Sequence, residues 1–542
     1  MGFRKKHAFA AIAIAFCVLV SACSKTGSSS DSAPTATSVP ATSNPSEKKA
    51  SSDDPSIKRK IEFIKPFSGK LNDQFLADNP LKTKLEQELN IDLKANLVPG
   101  AYDAYMQKLN TLIASGSLPD LVYLNRSDLV RFVKQGVLLP IDEALAQVPD
   151  LQNSRTKEAW TLTNVANKTY GVSRVSQGGA ANGSYIRQDW LDKLGLQIPK
   201  TTDDLLKVLT AFSANDPDGN GKADTYGYSA YGFGVNAQSM IGNAFGLPSL
   251  GITETGVPED WIDAQGKLHF GPISPEYKQY LTYMKKLVDS KAIDPDIVTN
   301  TLQISQQKMI QGQVGFVSMP NPQNWMFGAA TLQKQITAAS PSAKWVYVEP
   351  VKGPTGLSGN GSGSLSAPFM YAVTKNAASE PGKVERILKL IDYLDSREQG
   401  KPGSEIIKYG IDGVDNERVN GKVIKVTRPD EVLQYTSTYE LTGLFPSIDK
   451  LKISWNEADI AMYQKVLDHN SRGHTIANNY YSTLSFTYDG SKYVQEMALK
   501  FIYGREDLAA WDDYVKTLNE RYKYQDVQEQ RKLQLQEAGL IK

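Results

Sequence analysis

Cysteine is almost missing from this chain: two residues in 542, Cys17 and Cys23, both near the amino terminus. Beyond residue 23 there is therefore no disulfide, no thiol nucleophile and no thiolate metal site. Histidine is scarce as well, with four residues. His469 and His474 lack the His-Glu-x-x-His spacing, which argues against a zinc centre. No Gly-x-Ser-x-Gly elbow of a serine hydrolase occurs. The glycine run from Gly359 to Gly363 is not followed by Gly-Lys-[Ser/Thr], so it is no phosphate loop. Neither sign of charge is in excess, with 60 Lys and Arg against 59 Asp and Glu. That balance excludes a nucleic-acid partner held by bulk electrostatics.

What is present begins with an address. Arg4, Lys5 and Lys6 precede an apolar run from Ala8 to Val20, too short for a bilayer span and shaped as a secretory core. It ends in Val20-Ser21-Ala22-Cys23, which resembles the bacterial lipobox. Residues 1–22 are thus expected to be a lipoprotein signal peptide, with Cys23 lipidated and first in the mature protein. Two or three acyl chains would hold it on the extracellular face of the cell membrane. Residues 23–57 read as the lipidated cysteine and a disordered tether. Ser, Thr, Ala, Pro, Lys and Asp dominate it, and such a stretch buries too little apolar surface to fold. Its r.m.s. span is roughly 30 Å. An O-glycosylated stalk would give the same geometry.

The remaining body has room for two or three domains. Tyrosine is abundant at 26 residues, with seven tryptophans. Aromatic faces with hydroxyls suit a polar ligand with apolar faces, and sugars fit that description. Strand patterns at Ile57 to Phe67, Ile91 to Val98 and Leu118 to Leu124 alternate with amphipathic helices at Pro80 to Glu88, Tyr102 to Ala114 and Leu129 to Gln135. This predicts an α/β fold with a parallel or mixed sheet covered by helices. Ligands in such sheets bind beyond the carboxyl ends of the strands, which puts Asn125, Arg126 and Asp128 near a cleft. The same three residues could simply cap the helix that starts there. Further strands are expected at Ser184 to Asp189, Val314 to Met319, Trp345 to Val351 and Phe369 to Thr374. A helix is expected at Val384 to Ser396.

One loop carries chemistry of its own. Asp216, Asp218, Asn220 and Asp224 stand at positions one, three, five and nine of an EF-hand-like turn. Lys222 offers its carbonyl at position seven, and Gly221 sits where the sharp turn requires glycine. Hard oxygen ligands at this spacing suit a structural Ca²⁺. The bidentate Glu of a true EF-hand is replaced by Gly227 at position twelve.

Six phrases carry a resemblance across residue 57 to the carboxyl terminus. They are Leu118-Pro119-Asp120-Leu121-Val122, Gly136-Val137-Leu138-Leu139-Pro140-Ile141, the run Arg187 to Leu196, Ala292-Ile293-Asp294-Pro295-Asp296, Gly312-Gln313-Val314-Gly315-Phe316 and Gly504-Arg505-Glu506-Asp507-Leu508. In this order, behind a lipoprotein leader, they resemble the extracellular solute-binding proteins of bacterial carbohydrate ABC transporters. The chain is most similar to the group with the alginate-oligosaccharide binders, and more distantly to maltose-binding protein. The alginate binders carry an acidic residue where this chain has Thr225. The resemblance implies a two-lobe periplasmic-binding-protein-like fold with a hinge and an interlobe ligand cleft. Carried over, 58–178 and 372–428 form the amino-terminal lobe, and 179–371 and 429–542 the carboxyl-terminal lobe. It also implies a monomer that captures an oligosaccharide without catalysis and delivers it to ABC permease subunits. Trp325 falls where maltose-binding protein places a sugar-stacking Trp. Tyr231 matches a cleft-facing region, and Tyr185 and Arg187 a hinge-side strand. Trp190 reads as core, beside Leu194. Two other readings compete: a surface-anchored glycosidase with a carboxylate pair, and a binder of a peptide or other non-sugar solute.

Overall fold

The structure, a computed structural model, describes residues 53–67, 75, 79–175, 182–231, 239–248, 257–263, 265–320, 326, 331–360, 366–395, 401–442, 448–470, 475–476, 488–537 and 539–542. The leader and Cys23 lie outside them, as does Trp325.

The first sheet is built from β1 (Arg59–Phe67), β2 (Ile91–Pro99), β3 (Leu121–Asn125) and β4 (Gly171–Val175). Strands β2 and β3 lie parallel to β1 on either side, with Phe63 opposite Leu121. The period-two pattern of β1 places Ile61 and Phe63 in the core, and the next residue on that face is Lys65. Helices return the chain between strands. Asn79 caps helix Pro80–Glu88 by accepting from the Lys82 amide, and Gly116 at φ +71° closes helix Tyr102–Ser115.

The chain then builds a second sheet from β5 (Asn182–Arg187), β6 (Tyr226–Tyr228), β7 (Val314–Pro320) and β8 (Trp345–Val348). The order is β8-β5-β7-β6, with β6 parallel to β7 and the other pairs antiparallel. Alternation sorts its side chains: Ile186 and Val348 enter one core, Tyr185 and Tyr347 another. Strand β9 (Ser366–Val373) returns to the first sheet, antiparallel between β3 and β4, with Tyr371 opposite Tyr123. The first sheet is therefore mixed, in the order β2-β1-β3-β9-β4. At the start of β5 the Asn360 amide donates to the Asn182 carbonyl at 2.6 Å.

Several boundaries differ from the sequence expectations. β5 stops at Arg187 because Gln188 opens a helix, Gln188–Leu194. The helix expected over 384–396 spans Lys383–Tyr393. Asp395, just past it, is drawn into a buried ion pair with Arg155 at 2.7 Å. The expected division gives residue 429 onward to the second lobe. Helix Pro429–Tyr439 instead sinks Tyr435 and Tyr439 into the first core, and Leu441 follows them. Its period places these rings on one face, and Asn79 holds Tyr439 through its hydroxyl at 2.9 Å. Helix Tyr524–Glu537 links the cores: Tyr524 and Val527 join the second, Leu535 the first.

Candidate functional site

The carboxyl ends of β1 and β3 open on a cavity of ≈ 200 Å³, whose walls include Lys65, Phe67, Tyr123, Arg174, Tyr371 and Glu440. Parallel strands direct these ends to one edge of the sheet, the place where α/β sheets bind ligands. Tyr123 stacks on Phe369 with ring centres 4.9 Å apart and 15° between planes. Arg174 donates to the Tyr123 hydroxyl at 3.1 Å and pairs with Glu440 at 2.7 Å. The Lys65 ammonium donates to the carbonyls of Ser437, Thr438 and Glu440 at 2.7, 3.4 and 3.2 Å. Burial pushes the Lys65 pKa down to about 8, with Arg174 adding repulsion and Glu440 opposing it. The result is a polar pocket set on a bed of buried aromatic rings, able to donate and accept.

The second lobe offers a smaller counterpart of ≈ 30 Å³ at the ends of β6 and β7, lined by Ser229, Tyr231, Gln306, Ser318 and Met319 among others. Ser229 is fixed from below. Its hydroxyl donates to buried Asp294 at 2.6 Å, and Lys308 and Asn300 hold the same carboxylate.

The sequence candidates fall unevenly on this geometry. Half-buried Tyr231 lines the second-lobe cavity. Asn125 caps helix Arg126–Lys134 by accepting from the Asp128 amide, Asp128 accepts from the Tyr102 hydroxyl at 2.7 Å, and Arg126 donates to the Leu162 carbonyl. The Asn125 bond is that of the capping alternative, and the other two tie the helix start to Tyr102 and Leu162. Tyr185 and Arg187 depart from the cleft expectation. Tyr185 is buried against Tyr347, and buried Arg187 grips Asp189 and covers the Trp190 ring at 4.6 Å. Trp190 is core, edge-on to Phe212. Reasoning from the sequence passed over Lys65, Tyr123, Tyr371 and Glu440. A lysine in the core-facing register of β1 was the one available signal.

The acidic loop follows helix Thr202–Ala214 and leads into β6. Asp216 takes the amides of Gly219, Asn220 and Gly221, which winds the loop into its tight turn. The Asn220 amide nitrogen donates to Asp218 at 2.8 Å and to Asp224 at 3.1 Å. Its positive end thus occupies the space between carboxylates that a cation would take. Burial, then the neighbouring carboxylates of Asp216 and Asp224, push the Asp218 carboxyl above its ordinary pKa. Among the described residues no group of three or more His, Cys, Asp or Glu side chains is assembled on a common point. A half-turn of the Asn220 amide would swap its nitrogen for an oxygen donor. The donor set therefore suits a hard cation. Thr225 is committed elsewhere, its hydroxyl donating to the Phe212 carbonyl at 2.9 Å.

The sequence pattern of the bacterial extracellular solute-binding proteins matches residues 73–401. The chain belongs to that family. Among relatives of this solute-binding protein, the polygalacturonan/rhamnogalacturonan-binding protein YtcQ of Bacillus subtilis (strain 168) is 28% identical over 375 residues, covering 68% of this chain and 69% of the relative. Lipoprotein LipO of the same organism is 25% identical over 448 residues, covering 81% and 85%. Among solved structures, the EF-hand mutant of the Streptococcus pneumoniae ABC-transporter substrate-binding protein FusA, in complex with fructo-nystose, has the same fold. Its TM-score is 0.59 at 20% identity, covering 89% of this chain and 99% of that one.

Proposed function

We propose that this chain captures an oligosaccharide at the extracellular face of the membrane, held there by a lipid on Cys23, and passes it unchanged to the permease subunits of an ABC importer. The observation that carries the reading is the first-lobe cavity, where the Tyr123–Phe369 stack adjoins the Arg174–Glu440 pair. Paired donor and acceptor over an apolar aromatic bed suit a pyranose, since its C–H faces are apolar and its hydroxyls both donate and accept. Family membership supplies the solute-binding role. The name of YtcQ and the ligand of the FusA complex point towards saccharides. LipO supports the anchor.

On this reading Tyr231, and Trp325 by the sequence resemblance, complete the aromatic contacts from the second lobe. The protein acts as a monomer. The loop of Asp216, Asp218, Asn220, Lys222 and Asp224 would hold one structural Ca²⁺, in keeping with the EF-hand named for FusA. The ion would tie helix Thr202–Ala214 to β6 and take no part in binding sugar. Prolonged incubation with an oligosaccharide library tests the whole reading. A retained saccharide recovered intact by mass spectrometry is the expected result. Recovery of cleaved fragments would favour a glycosidase, and retention of peptides instead of sugars would overturn the ligand class.

A further inference from the structure

The phrase Ala292-Ile293-Asp294-Pro295-Asp296 places a wholly buried carboxylate behind the second-lobe cavity. Pro295 favours extended backbone at Asp294, and residues 292–294 run beside the end of β6. There the Tyr228 amide donates to the Ala292 carbonyl and the Asp294 amide to the Tyr228 carbonyl, both at 2.9 Å. The Asp294 side chain then joins two elements. It accepts from the Ser229 hydroxyl at 2.6 Å and from the Asn300 amide at 2.9 Å, and the same Asn300 group donates to the Ala230 carbonyl at 3.1 Å. It also takes the Lys308 ammonium on both oxygens, at 2.9 and 2.8 Å. Ser229, Ala230 and Tyr231 form one wall of the cavity. Helix Leu302–Ile310, which carries Lys308, forms another through Leu302, Ser305, Gln306 and Met309. Those four share one helical face, at i, i+3, i+4 and i+7.

A buried ion pair is a weak way to gain stability, because apolar packing holds two elements at least as well without the cost of desolvation. What directed hydrogen bonds add is a fixed spacing. We infer that Asp294 is a positioning residue for ligand selection: through Lys308 and the Ser229–Ala230 segment it sets the distance between these two walls, and with it the size of the sugar substituent that the cavity admits. The inference rests on the oligosaccharide reading above. The cavity of ≈ 30 Å³ matches the share of one water molecule in the liquid, about 30 Å³. It takes a ring substituent and not a sugar ring. In so small a space one methylene changes discrimination by roughly 10- to 200-fold, so a slight movement of either wall alters which sugar fits. Asp294 touches no ligand itself.

The test is capture by the full chain from a library of neutral and acidic oligosaccharides, followed by titration calorimetry of every member retained and of its analogues with hydrogen, methyl or hydroxymethyl at one ring carbon. The wild type is expected to separate such analogues by about tenfold or more. Asp294→Asn keeps the shape and loses the charge that holds Lys308. Lys308→Gln, at a half-buried position, loosens the helix from the other side. Each should reduce the ratio at least threefold, and Lys308→Arg should restore it because the charge pair returns. A variant that is merely less stable loses affinity for all analogues by the same folded fraction, so the ratio reports positioning, and melting temperatures identify the folded variants. Should Asp294→Asn not fold, Lys308→Gln decides. Unchanged ratios in a folded variant would overturn the inference, as would a wild type that binds saccharides without separating the analogues, and both would leave the oligosaccharide reading standing. A wild type that retains no saccharide would remove both.

Discussion

At position twelve of the acidic loop the backbone of Gly227 lies against helix Thr202–Ala214. A Cβ there would clash with the Leu209 carbonyl oxygen, well inside contact distance, and crowd its backbone carbon at 2.6 Å. The glycine that leaves the EF-hand pattern incomplete is thus required by helix–strand packing. Gly227→Ala should destabilise the protein by about 1–3 kcal/mol or more, read as a lower midpoint in urea. Gly227→Glu should not tighten calcium, because the strand must move before the carboxylate can reach the loop. A stable Gly227→Glu protein with raised calcium affinity would refute this account.

Lys65 gives a second prediction at the same scale. Its folded pKa, about 8, lies below the ordinary lysine value of 10.5. Between those two values the unfolded chain holds a proton that the folded protein has released, so the contribution of Lys65 to stability rises with pH across that window. Glu440, Arg174, Tyr123 and Tyr371 face the same cavity, so the comparison must be with Lys65→Met. Relative to that variant the wild type should gain stability from pH 8 to 10, by no more than about 1.4 kcal/mol per pH unit. A flat difference would show that Lys65 keeps its proton throughout.

Among the elements, the acidic loop is the one whose stability should depend on an ion. Ca²⁺ bound to the native loop and absent from the unfolded chain stabilises by mass action, about 2.7 kcal/mol when free calcium is a hundredfold above Kd. Chelation should therefore lower the melting temperature of the wild type and leave Asp218→Ala unmoved. Identical melting of the wild type with calcium and with chelator would count against the site. Helix Pro429–Tyr439 makes a different point about elements. Its aromatic face, Tyr435 and Tyr439, was not singled out in the sequence, and it is held in the first core through Asn79, 360 residues from Tyr439. No local pattern contains that contact.

For the whole molecule, the anchor and the body are separable. Cys23→Ser should abolish lipidation and release the protein or leave an unprocessed precursor, while solute binding by the body is unchanged. Membrane attachment that persists in this variant would sink the lipoprotein reading. The body itself begins at a firm point. Buried Asp53 is held by Arg386 at 2.5 Å, and its amide donates to Glu385 at 3.0 Å. The last residues of the expected tether, from Asp53 on, are thereby locked to helix Lys383–Tyr393, so the ordered body starts earlier than the expected boundary at 57.

The amino-acid sequence by itself determined the alternation of strands and helices, the acidic loop and the family phrases, because each depends on neighbours within a few tens of residues. Period two gave β1 its core face and period 3.6 its covering helices. The tertiary structure decided the site. Lys65, Tyr123, Arg174 and Glu440 come from three strands and a segment some 375 positions from the first of them, and only sheet order brings them to one edge. It also decided which polar residues were already spent: Arg187 on Asp189, Asn125 on its helix, Thr225 on Phe212. A hydrogen-bonding side chain reads the same in sequence whether it is free to meet a ligand or committed to the fold, and the partner that settles the matter is supplied by packing.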